Sequence, residues 1–267
     1  MRAPLHAFWH GPRLPEMARV SLESFVELGH PITLHTYDPI EGVPAGVMMA
    51  DAAKILPRDQ IFIQPTEKSL APFTDRFRYE MLAQGIGTWV DCDLLAVRPV
   101  KARDYNVGWV DDHAMNGAVL HLPAGSPLLE ELRAMCTTPG WLPPWYRGLR
   151  RLRYRLKYWR DKNFDYRSLG VGTIGPFALT HYVKAMGLAH LATAPAVHYP
   201  VPYEDTAALV GDPAGVRRYI TDETECIHLW NSRLNRELGG KPPAEGSFYD
   251  HVLKRTWRAA LGVPLTA

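Results

Sequence analysis

Residues 74–93 read Thr74-Asp75-Arg76-Phe77-Arg78-Tyr79-Glu80-Met81-Leu82-Ala83-Gln84-Gly85-Ile86-Gly87-Thr88-Trp89-Val90-Asp91-Cys92-Asp93. The apolar spacing predicts a helix over Phe73 to Leu82, with Thr74 or Asp75 near its first turn. Asp75 and Arg78 stand three apart, which puts them on one helix face. Gly85-Ile86-Gly87 then breaks the helix, and Thr88 to Asp91 is a run of β-forming residues. That strand leads into Asp91-Cys92-Asp93. In extended chain both carboxylates share a face and Cys92 turns into the core. Two acids beyond a strand end can hold Mg²⁺ or Mn²⁺ beside a substrate phosphate. Fifteen of the 267 residues are Asp, so about one Asp-x-Asp arises by chance and a pair of solvated turn acids is the competing reading.

The surrounding chain supplies the context. Leu5 to Phe8 reads as a strand, Trp9-His10-Gly11-Pro12 as a loop, and Leu14 to Leu28 as a helix stopped by Gly29. Ile32 to Tyr37 alternates as a strand. A β-α-β opening of this kind points to a sheet with helices packed on it. Further strands are expected at Val107–Val110, Ala118–Leu122 and Cys226–Leu229, and extended chain at Pro200–Pro202. Helices are expected from Ser126 to Cys136, from Gly175 to Leu188, and from a Ser247 cap to Gly262. The fold class is therefore α/β, a sheet with helices packed on it.

A chain of 267 residues that is 46% hydrophobic and 22% charged suits one domain over 1–267 with a sizeable core. Disorder, collagen and a disulfide miniprotein are excluded by the composition. No apolar run approaches the roughly 20 residues that cross a bilayer, and no signal-peptide stretch follows Met1. Cys92, Cys136 and Cys226 are widely spaced with no C-x-x-C, so a reducing, cytoplasmic compartment is expected.

The formal charge of +2 hides an asymmetry: residues 147–162 hold eight Lys/Arg against Asp161 alone. This segment follows a breaker at Thr137–Pro144, and a basic helical excursion is expected at about 138–167. Leu149, Leu152, Leu156 and Trp159 fall on one helical stripe among the cations. A solvated helix lying on the protein is one reading. The other is an interfacial helix over 147–160 on an anionic membrane surface, which would place a cytoplasmic protein peripherally at the inner membrane face. No nucleic-acid motif accompanies the cations, so no nucleic-acid partner is expected.

Gly170-Val-Gly172-Thr-Ile-Gly175 matches G-x-G-x-x-G. The segment before it is polar and no acid follows at 190–200, so a glycine loop feeding a helix N-terminus is favoured over a dinucleotide fingerprint. Asp111 and Asp112 end a strand, with surface acids the default reading. His228 is a metal ligand or a core histidine, and Trp230 a core residue or a nucleotide wall.

Taken in order, the landmarks resemble glycosyltransferase family 32, the DXD-containing sugar transferases related to the catalytic domain of clostridial glucosylating toxins. Phe8-Trp9-His10 is similar to the family's first strand and its uracil-side tryptophan. Thr74-Asp75-x-x-Arg78 resembles its Ser-Asp-x-x-Arg helix, Met115-Asn116-Gly117-Ala118 its Asn-bearing strand, and His228-Leu229-Trp230-Asn231-Ser232 its closing segment. The turn glycines are separated here by Ile86, and the family's Thr-Gly-Pro loop is represented by Gly175-Pro176.

The resemblance implies a GT-A-type nucleotide-sugar-binding fold, a mixed, mostly parallel sheet flanked by helices, and metal-dependent hexosyl or N-acetylhexosaminyl transfer with retention. It implies Mn²⁺ (or Mg²⁺) on Asp91, Asp93, His228 and Asn231. It makes Asp75, Arg78 and Asn116 catalytic, and gives donor contacts to Trp9, Asp75, Arg78, Asp91, Asn116 and Trp230. The donor is a nucleotide sugar, a UDP-sugar ahead of a GDP-sugar, and the acceptor a glycan or a lipid-linked saccharide. A nucleotidyltransferase and a non-catalytic membrane-docking protein of the same fold are the alternatives.

Overall fold

The computed structural model of the protein describes residues 2–162 and 164–265. Strand β1 (Leu5–Phe8), helix α1 (Glu16–Glu27) and strand β2 (Ile32–Thr36) form the expected β-α-β unit, with Leu5 opposite Ile32 in a parallel pair. Every residue of β1 is buried, as a central strand covered by helices on both faces requires. Leu5 and Ala7 join the hydrophobic cluster built on α1, whereas Phe8 packs on Phe73 and Phe77 in the other cluster. Gly29, at φ +76°, ends α1 in the left-handed conformation that glycine adopts without strain.

Strand β3 (Val47–Asp51), which has no alternating signature, pairs in parallel with β2 at the sheet edge. Helix α2 (Ala71–Ala83) starts two residues before the expected point, with Pro72 in its first turn, where the missing N–H costs nothing. Strand β4 (Thr88–Val90) returns beside β1, again parallel. Beyond them, β5 (Leu94–Ala96) leaves the main sheet, while β6 (Asn106–Trp109) and β7 (Met115–His121) complete it. The six-stranded order is β3-β2-β1-β4-β7-β6, with β7 antiparallel to β4 and β6. This is the expected mixed, mostly parallel sheet between helical layers.

The order decides where a ligand sits. From β1 the chain crosses to β2 on one side, while β4 lies on the other. The crevice beyond the carboxyl ends of β1 and β4 is thus the topological switch point, where open α/β sheets bind ligands. Phe8-Trp9 and Val90-Asp91 emerge together at this point.

After the switch, β5 pairs with a late strand, β8 (Cys226–His228), in a separate antiparallel sheet with Leu94 opposite His228. β5, whose three residues follow directly on the Asp91-Cys92-Asp93 turn, is not among the strands expected from sequence. Its free edge is satisfied by side chains instead. Ser21 Oγ accepts from Leu94 N–H at 3.2 Å and Ser24 Oγ from Ala96 N–H at 2.9 Å. Arg258 donates to the carbonyls of Ala96 and Val97. Buried backbone groups are almost always paired, and here two helical serines do what a strand would.

Helices α3 (Pro127–Thr137), α4 (Gly148–Arg160) and α5 (Pro176–Ala185) follow in chain order. Ser126 caps α3, accepting from Leu129 N–H at 3.3 Å. The expected final helix is split into Phe248–Leu253, capped by Ser247, and Trp257–Leu261. Arg255, at φ +60°, breaks it and pairs with Glu16 and Glu23 of α1. Among the described residues no helix is long and apolar enough to cross a membrane.

Gly87 connects α2 to β4 at φ +148°, and a Cβ there would lie 2.6 Å from the His6 ring and 2.8 Å from the Pro4 carbonyl. Gly87→Ala should therefore cost at least the ~1–3 kcal/mol of a strained backbone, read as a lower urea midpoint. Gly125, at φ +75° with open space around it, should cost about 1 kcal/mol on the same change. Equal losses in the two variants would contradict this account of Gly87.

Candidate active site

At the switch point a cavity of about 340 Å³ opens, its polar wall formed by Trp9, His10, Arg78, Asp91, Asp93 and Asn231. Asp91 ends β4: its N–H donates to the Ala118 carbonyl at 2.8 Å, and its Oδ1 accepts from Trp89 Nε1 at 2.6 Å. Asp93 is held from the other sheet. The Leu229 N–H donates to its carbonyl at 2.8 Å, the Asn231 N–H to its Oδ2 at 3.1 Å, and His228 Nε2 lies 3.2 Å from its Oδ1. The connection Asp91-Cys92-Asp93 is a turn, not the expected extended chain. Its carboxylates still converge, because each is fixed by a different sheet. One ligand atom each from Asp91, Asp93 and His228 lie within 4.8 Å of one another.

Arg78 ties this centre to α2. Its Nη2 lies 3.3 Å from Asp75 and 3.3 Å from Asp91, its Nη1 donates to the Gly117 carbonyl at 2.6 Å, and its guanidinium lies 5.0 Å from the Trp89 ring centroid. Asp75 and Arg78 share one face of α2, as their spacing predicts, and pair there. Asp75 itself is placed differently from the sequence expectation: it is 5% exposed, behind Arg78 rather than on the cavity wall. Burial, reinforced by the Asp91 charge and opposed by Arg78, pushes its carboxyl up to about 6. Burial likewise raises Asp91. Asp93 is burdened by burial too, but His228 and the Asn231 N–H bring it below the usual carboxylate range.

These residues fit a divalent cation. Asp75, Asp91 and Asp93 stand against the single guanidinium of Arg78, leaving an excess of two negative charges before His228 is considered. His228 turns its Nε2 toward these carboxylates, 3.2 Å from Asp93 Oδ1. Two carboxylates and an imidazole are together a donor set that could hold a divalent cation.

The other expected site residues fall on and around this centre. Trp9 forms a wall, its Nε1 donating to the Arg13 carbonyl at 3.1 Å. Asn231 meets Asp93 through its backbone, while its side-chain oxygen accepts from Asn235 at 2.9 Å. Asn116 is held locally, its Oδ1 accepting from the Ala118 N–H at 2.9 Å, and the adjacent Gly117 carbonyl is what reaches Arg78. Trp230 is buried at φ +51°, donates to the Val201 carbonyl at 3.0 Å and lies 4.1 Å, centroid to centroid, from the His228 ring. It is therefore core that supports His228. Neither Asn116 nor Trp230 is among the described residues that line the cavity. Asp111 accepts from the N–H groups of His113 and Ala114 in an exposed turn.

Sequence reasoning gave no role to Trp89, Gly117 or Tyr199, whose hydroxyl donates to the Asn116 carbonyl at 3.0 Å. Trp89 had a signal, since it stands two residues before Asp91 on the same strand face. Tyr199 had none. Gly175, the last glycine of the G-x-G-x-x-G run, packs so closely that a Cβ there would lie 2.5 Å from Asp75 Oδ2. That run leads into α5 beside the site, as the loop reading expected.

No family model and no curated protein matches the sequence, so the likeness to family 32 rests on its ordered motifs. Among solved structures the chain is similar to one described as PaToxG Glycosyltransferase, at 12% identity and a TM-score of 0.38, over 98% of this chain and 88% of that one.

Arg78→Ala removes the guanidinium that Asp75 and Asp91 share. Breaking a buried pair costs about 3–5 kcal/mol, and chemical denaturation of the metal-free protein should show a loss of that size. A loss under about 1 kcal/mol, typical of exposed pairs, would contradict the arrangement.

Proposed function

We propose that the protein is a divalent-metal-dependent glycosyltransferase of the GT-A type. It moves a hexosyl or N-acetylhexosaminyl group from a nucleotide sugar, a UDP-sugar in first place, to a glycan or lipid-linked acceptor. The observation that carries this reading is the convergence of Asp91, Asp93 and His228 with Arg78 around one cavity at the sheet's switch point. The ordered family 32 motifs support it, and retention of configuration is what they imply.

Asp91, Asp93 and His228 would hold the cation, which when bound supplies neutralisation of charge developing on the leaving nucleoside diphosphate. Arg78 is fixed by Asp75, Asp91 and the Gly117 carbonyl, so its charge is oriented before substrate arrives. Arg78 also lines the cavity, which sets its positive charge beside a sugar or phosphate oxygen bound there. Asp75 acts as a positioning residue for Arg78. Trp9, also on the cavity wall, offers an apolar face for stacking the base, and Trp230 steadies His228 from behind. Cys92, Cys136 and Cys226 are free thiols, which supports work in a reducing cytoplasm.

The test is incubation with a panel of nucleotide sugars and Mn²⁺, reading nucleoside diphosphate release and the anomer formed. Transfer should require the metal and fall at least ~100-fold in Asp93→Ala, on the scale of losing an electrostatic stabiliser. Full activity in that variant or in excess chelator would contradict the metal reading. Release of pyrophosphate from a nucleoside triphosphate would replace sugar transfer by nucleotidyl transfer.

A further inference from the structure

Helix α4 is attached to the body by the side opposite its apolar stripe. Tyr154 packs 5.2 Å from Tyr146 and 5.7 Å from Phe164, ring to ring. The Tyr158 ring fills the space that a Cβ at Gly140 would need. Arg150 lies over the Tyr146 ring at 3.8 Å. At roughly 100° per residue, Leu149, Leu152, Leu156 and Trp159 fall on the far side from both tyrosines. They are exposed by 84%, 53%, 50% and 72%. The helix thus lies on the protein with no residue of its own buried, and its apolar stripe faces outward.

On the helical wheel this outward stripe runs between two rows of cations, Arg153, Lys157 and Arg160 on one side, Arg151 and Arg155 on the other. Six Lys/Arg and no acid stand within the helix. We propose that α4 docks on the surface of an anionic phospholipid bilayer, its four apolar side chains entering the headgroup–acyl boundary and its flanking cations meeting lipid phosphates. An apolar stripe with cations at its margins is the arrangement an interfacial helix needs. A second copy of the chain would set these cations against their own kind. Nucleic acid would meet the cations but leave the leucines and Trp159 against a polar backbone. The proposal does not depend on the transfer chemistry.

Co-sedimentation of the full chain with vesicles tests it. Vesicles of phosphatidylcholine with ~30% phosphatidylglycerol should bind at least tenfold tighter than phosphatidylcholine alone, with binding weakening as salt screens the cations. Leu152→Asp with Leu156→Asp, at exposed positions that the fold does not use, should keep the melting temperature and lose binding tenfold or more. Arg151→Glu with Arg155→Glu should do the same. A brominated-lipid quench of tryptophan emission should be diminished in Trp159→Phe. Equal binding to neutral and anionic vesicles, or undiminished binding by the aspartate pair, would overturn the proposal. So would a short DNA duplex that binds tighter than anionic vesicles at the same salt, or dimerisation that the aspartate pair abolishes.

Discussion

The guanidinium of Arg78, a residue only 7% exposed, is the contact through which helix α2, strand β4 and strand β7 constrain one another. Bringing a guanidinium out of water is expensive, and its attraction to carboxylates repays that only when the geometry is good and the remaining donors are used. Here Asp75 holds it from the helix, Asp91 from the strand end and the Gly117 carbonyl from the neighbouring strand. The Trp89 ring covers its face. With α2 fixed in this way, Gly175 must approach without a side chain, and the loop feeding α5 is drawn against Asp75.

The other half of the centre is built from a different sheet, and this explains its charge. Asp93 belongs to the short β5–β8 pair, whose outer edge is closed by Ser21, Ser24 and Arg258. Neither sheet alone holds a complete cation site. Their junction brings Asp91, paired with Arg78 in front of Asp75, next to Asp93, paired with His228. Burial raises Asp75 and Asp91, so a dication entering beside them would relieve an imbalance already present in the fold.

Much of this was legible in the sequence, for definable reasons. β1, α1, β2 and α2 carry periodic apolar patterns, and the Asp75–Arg78 spacing alone placed both on one face. His228 could be tied to the Asp-x-Asp run only through the family motif, because residues 135 positions apart meet through the three-residue pairing of β5 and β8. The sequence could not reveal that Asp75 lies behind Arg78, since burial depth depends on how α5 and its glycine loop close over the helix. Nor could it orient α4. Its period placed the four apolar residues on one stripe but left open which way that stripe faces, and it is Tyr154 and Tyr158 on the other side that make the contacts.

The central claim is that Asp91, Asp93 and His228 form one cation site at the switch point of the sheet. Crystals grown with Mn²⁺ and a nucleoside diphosphate, measured at the manganese edge, would test it most directly. The account predicts an anomalous peak bonded to Asp91, Asp93 and His228, about 2.0–2.3 Å from the ligand atoms as hard cations bind, with the base against Trp9. Nucleotide bound in the cavity with no peak there, or a peak held by other residues, would contradict it.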